Sequence, residues 1–226
     1  MSHLSVQLTV DRHRGGNTRI HGRVGESHQD VNVWKGPQPG DCYLEGQIEG
    51  APTTLRINSA FAENGHKVFG RLAGVPFQGL WQQDTVEGDA SLQLDGARLS
   101  IDVDPAGRRT ESKGTRLQST SETVASDGDE HFKMTTDGRR LSLQVDRKAS
   151  GDFDIRGKDG DGPFRFSMKR KGQDGDLYVQ GTMPENLRFL PLMWELYGDD
   201  AIETPEKPLS VGAAATLSAF WSNAIG

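Results

Sequence analysis

Cysteine is nearly missing from this chain: Cys42 is the only one. A lone thiol excludes an internal disulfide and suits a reducing compartment, so a cytoplasmic location is the expectation. The opening residues, Met1-Ser2-His3-Leu4-Ser5-Val6-Gln7, have neither a basic region nor an apolar one, and no secretion signal is expected there. No apolar run approaches the length that a membrane-spanning helix needs. Apolar residues make up 34% and mean hydropathy is −0.62, both low for a globular domain. An antiparallel sheet with one wet face accounts for that, because every second residue then meets solvent. The net charge of −6 speaks against nucleic-acid binding by the molecule as a whole.

Catalytic signatures are missing too. There is no Gly-x-Ser-x-Gly elbow, no His-Glu-x-x-His and no Cys-x-x-Cys. The run from Gly74 to Gly79 has the glycine spacing of a phosphate loop, but continues Leu80-Trp81 where a lysine would be needed. His13, His21 and His28 follow no recognised ligand spacing, and they read as solvated polar residues. Asp127-Gly128-Asp129, Asp159-Gly160-Asp161 and Asp174-Gly175-Asp176 lack the downstream glutamate of a calcium loop and read as hairpin turns. No catalytic residue, metal site or cofactor is assigned, and the enzyme question stays open, leaning towards no.

What the chain does have is a period. Ile20-x-Gly22-x-Val24, Leu44-x-Gly46-x-Ile48 and Val68-x-Gly70-x-Leu72 are three copies of one pattern, 24 residues apart. The spacing of two inside each copy puts both aliphatic side chains and the glycine on one face of a strand. Val31/Val33 and Leu55/Ile57 continue at matched offsets, as do Pro52 and Pro76. Each copy follows a turn dipeptide (Gly16-Asn17, Gly40-Asp41, Asn64-Gly65), so one unit reads as turn, strand, Pro/Gly corner, strand. The frame resembles the MORN repeat in its glycine and spacing, with aliphatic residues where that repeat carries aromatics. The resemblance implies a common way of stacking hairpins. The pattern returns around Phe153/Ile155/Gly157 and Leu177/Val179/Gly181, while Asp95-Gly96, Ala106-Gly107 and Asp137-Gly138 mark turns between. About a dozen strands are expected in an antiparallel meander, as a curved sheet or a barrel; a parallel β-helix is the rival, disfavoured by the hairpin dipeptides. A glycine repeated in mid-strand marks a bend or a close approach.

Residues 1–183 form the expected β unit and residues 184–226 a helical segment packing on it. Leu187, Leu190, Trp194 and Tyr197 recur at helical spacing, with Pro191 expected to break or kink the run and Gly198 to stop it. A polar connector with Pro205 and Pro208 leads to a second helix over 209–224. The helices are expected to cover the sheet's apolar face. A terminal helix plugging a barrel, similar to tubby-like domains, is the sharper alternative, and an interface with a second subunit a third.

Charge is unevenly spread: residues 131–182 hold 11 Lys/Arg against 8 Asp. Arg139, Arg140, Arg147, Lys148, Arg156, Lys158 and Arg165, close in sequence to Phe164 and Phe166, are the candidate partner-binding residues. If these strands align, they give a basic stripe with interleaved aromatics. The expected function is a non-catalytic binding or scaffold protein using an extended sheet surface for a macromolecular partner. A hydrophobic-ligand carrier within a barrel and a nucleic-acid or polyanion binder are the alternatives. A protein partner, or self-association through the C-terminal helices, is the corresponding expectation.

Overall fold

A computed structural model describes residues 3–13, 17–36, 38, 41–60, 65–83, 89–104, 109–123, 129–160, 162–171, 176–197 and 211–225. Sixteen antiparallel strands follow one another around a closed barrel in chain order, with the last pairing to the first. They are β1 His3–Arg12, β2 Thr18–Val24, β3 Ser27–Lys35, β4 Cys42–Ile48, β5 Ala51–Ala60, β6 Gly65–Leu72, β7 Val75–Gln83 and β8 Ala90–Leu94. The second half comprises β9 Ala97–Val103, β10 Arg109–Gly114, β11 Leu117–Thr123, β12 Glu130–Thr136, β13 Arg139–Arg147, β14 Phe153–Asp159, β15 Gly162–Lys171 and β16 Asp176–Pro184. A 3-10 turn, Glu185–Leu187, leads into helices α1, Leu190–Tyr197, and α2, Val211–Ile225.

The 24-residue period is built into the barrel. Ile20, Leu44 and Val68 point inward from β2, β4 and β6 and are no more than 2% exposed. Gly22, Gly46 and Gly70 oppose Gln29, Thr53 and Phe77, so the register also repeats every 24 residues. At Gly46, φ is 155°, and a Cβ there would run into the carbonyl oxygen of Asp30 on β3. The glycine lets the neighbouring backbone come close, which any side chain would forbid.

Among the described residues, the tight turns of the repeat lie at the Pro/Gly corners. Glu49-Gly50 and Ala73-Gly74, within the expected corners, have positive φ at both residues and close two-residue hairpins of type I′. Pro52 and Pro76 already belong to strands. Asp41 instead ends a longer connection in which the Gly36 amide donates to the Asp41 carbonyl, and Gly65 opens β6. Gly16, Gly40 and Asn64 lie outside the described residues, as do Ala106-Gly107, Asp127-Gly128, Asp161, Asp174-Gly175, Gly198, Pro205 and Pro208. Asp95-Gly96 and Asp137-Gly138 are type I′ turns, as expected.

A barrel of this many strands is too wide for side chains alone to fill. The two helices fill it. From Val211 to Trp221 every residue of α2 is buried, and so is α1 from Leu190 to Glu195. Trp194 meets the Phe153 ring of β14 edge-on at 5.3 Å, and Trp221 meets Phe77 of β7 at 4.7 Å. Glu195 bonds to Arg12 of β1 and Thr18 of β2, while Asn223 donates to Thr136 of β12. Only a helical hairpin inside the lumen can touch strands around the whole circumference. The helices cover the sheet's apolar face from within. Because they are buried on every side, neither shows the stripe of a surface helix. Pro191 neither breaks nor kinks α1; it is the second residue of the helix, where the missing N–H costs nothing.

Part of the excess of sixteen strands over a dozen is β10 and β11. Besides Leu117, their buried positions are Thr110, Ser112, Ser119 and Ser121, so no apolar alternation announces them. They face the polar and small side of α2, where Ser119 and Thr216 hydroxyls are 2.8 Å apart and Gly212 leaves room for Ser121.

Candidate binding surface

Chemistry inside the lumen is used for holding the helices. The Glu130 carboxylate accepts the amides of Val211 and Gly212, at 3.0 and 2.9 Å, and the Ser121 hydroxyl. A negative charge is thereby set at the positive end of α2. Glu195 on α1 accepts from the Arg12 guanidinium and the Thr18 hydroxyl, both at 2.8 Å. Cys42 lies near this pair. Its burial, aided by the Glu195 charge, pushes the thiol up to about 12, so near neutral pH it is held as the neutral thiol. Among the described residues no three His, Cys, Asp or Glu side chains are grouped to hold a metal ion.

The outer face is mostly polar: Ser5, Gln7, Arg23, Glu45, Thr54, Arg56, Gln93, Glu111 and Lys133 all point out, with Phe69 among the exposed apolar exceptions. A lipid-embedded barrel has the reverse pattern, with its apolar band outside. Among the described residues no helix is long and apolar enough to cross a membrane. Arg19 and Asp30 form a forked ion pair here, with Nε and Nη2 donating at 2.9 and 2.8 Å. The hydrogen bond to Arg19 holds the Asp30 carboxyl below its usual range.

Register sorts the expected basic residues into rows. Lys133, Ser142 and Lys158 are direct cross-strand neighbours on β12, β13 and β14. The next row holds His131, Gln144, Arg156 and Arg165, and the one beyond it Asp146 and Asp154. That acidic row is spent on its neighbours. Asp146 lies 3.5 Å from Arg156, and Asp154 is 3.7 Å from Arg165 and 3.8 Å from Lys148. Arg147 ends β13 with its guanidinium over the Phe153 ring. Arg139 takes the inward parity at the rim, half-buried, whereas Arg140 points out beside Thr135. Phe164 and Phe166 face the lumen, stacked on each other and no more than 3% exposed. The cations and aromatics that stand close in sequence are therefore on opposite faces of the sheet, because neighbouring strand residues alternate.

What remains together on the outside is Lys133, Arg140 and Lys158. They line one depression of about 540 Å³ together with Thr135 and Ser142. Asp159 reaches its edge, with its carboxylate 3.0 Å from the His3 ring of β1. Lys133 and Ser142 escape a reading based on neighbours in sequence. Only the pairing of β12 with β13 and β14 brings them to Lys158.

Fold and surface define a class: a closed antiparallel barrel with a two-helix filling and a charged, mixed-sign exterior. Comparisons with protein-family models, curated proteins and solved structures find no match to this chain.

Proposed function

We propose that this is a non-catalytic binding or scaffold protein that offers the outside of its barrel to a macromolecular partner. The observation that carries the reading is the occupied lumen. A hydrophobic-ligand carrier needs an empty apolar cavity, and here α1 and α2 stand where such a ligand would lie. Their apolar faces are likewise spent inside, which leaves the strands rather than the helices to meet a partner or a second copy. The exterior offers a rigid wall of side chains held at fixed cross-strand spacings, suited to broad recognition.

Native mass spectrometry of the protein purified from its own source tests this. The expected result is a complex with a macromolecule whose footprint, mapped by cross-linking, falls on outward strand residues. A stoichiometric small apolar ligand retained within a monomer would overturn it. A second reading, polyanion binding through the basic strands, is favoured by one observation: Lys133, Arg140 and Lys158 converge on one depression.

A further inference from the structure

We propose that the depression bordered by Lys133, Arg140 and Lys158 is a binding site for a compact oligophosphate group, two or three linked phosphates on a small molecule. Lys133 and Lys158 flank Ser142 on adjacent strands. Adjacent strands run about 5 Å apart, so the lysine backbones are separated by roughly 10 Å, and both ammonium groups reach an anion above Ser142. Arg140, two residues before Ser142 on the same face, adds a planar fork that suits phosphate oxygens. Among the described residues none of these three cations has a carboxylate at ion-pair distance, in contrast to Arg156, Arg165 and Lys148. The hydroxyls of Thr135 and Ser142, which line the same depression, supply neutral donors.

The surroundings set the size of the ligand. Two rows towards the other end of the barrel lie Asp146 and Asp154, which would repel a phosphate chain continuing that way. The aromatic side chains that could stack bases, Phe164 and Phe166, are inside the barrel. A net charge of −6 opposes a long polyanion further. Three cations and a short reach fit a short, dense charge.

The test is a titration of the intact protein with inorganic tripolyphosphate at low ionic strength, read by calorimetry and by amide shifts. The wild type is expected to bind with shifts centred on Thr135, Ser142 and Lys158. The triple variant Lys133→Ser, Arg140→Ser, Lys158→Ser is expected to bind about a hundredfold more weakly, roughly fivefold for each surface cation removed. A control, Arg23→Ser, Lys67→Ser, Arg98→Ser, changes net charge equally on other strands and is expected to bind as the wild type does. No binding by the wild type, shifts centred elsewhere, or equal loss in the control would each overturn the site. Tighter binding of a 20-nucleotide single strand than of tripolyphosphate would also overturn it, in favour of an extended polyanion.

Discussion

At the scale of single residues, the barrel depends on positions that tolerate no alternative. Gly46 is one: a methyl group there meets the Asp30 carbonyl, and its φ of 155° strains any L side chain. Gly46→Ala is expected to cost ~2–4 kcal/mol by denaturant unfolding, with Gly22→Ala and Gly70→Ala costing similar amounts because their settings are copies. Unequal costs, with one variant neutral, would show that the copies are not equivalent. Cys42 gives a pH prediction. Its folded thiol titrates at about 12 against an ordinary 9.0, so the folded state binds the extra proton between those values. Stability is whole below about pH 9 and falls as pH rises towards 12. Correspondingly, a thiol reagent at pH 8 should leave the native protein unlabelled and label one thiol after denaturation. Asp30 works in the opposite direction. Held low by Arg19, it contributes stability above the ordinary carboxylate range and loses it as pH falls through its own lowered value.

Among elements, the helical hairpin depends most on buried charge. Glu195 is 1% exposed and faces Arg12 across 2.8 Å. Removing one partner strands the other, so Glu195→Ala is expected to cost ~3–5 kcal/mol, and Arg12→Met with Glu195→Leu to recover most of it. A double variant as unstable as the single one would contradict that account. Glu130→Ala removes the acceptor from two α2 amides and should cost ~1–3 kcal/mol. The sequence made the strands with alternating aliphatics legible, β2 to β7 above all, because their inward residues meet apolar neighbours. It hid β10 and β11, whose inward serines and threonines answer to Thr216 and Gly212 on α2. The tight turns of β4–β5 and β6–β7 fall in the expected Pro/Gly corners, but their first residues, Glu49 and Ala73, take positive φ without being glycine or asparagine.

For the whole molecule, closure decides what is accessible. A meander with an apolar face has three ways to hide it: a second subunit, a bound ligand, or its own chain. The last is what α1 and α2 accomplish, and the recognition proposed above therefore falls to the exterior. Of the candidate residues, Arg140 and Lys158 could be read from charge alone. Their partner Lys133 could not, since it is 25 residues from Lys158 in sequence and becomes a neighbour only through the register of three strands. The aromatics misled for the same reason in reverse, being next to Arg165 in the chain but behind it in the sheet. The most direct test of the filled barrel is a NOESY spectrum of the intact protein in solution. The account predicts cross-peaks from the Trp221 indole to the Phe77 ring and from the Trp194 indole to the Phe153 ring. Sharp indole signals without those cross-peaks, in a protein that still shows the β-sheet pairings, would place the helices outside the lumen and contradict it.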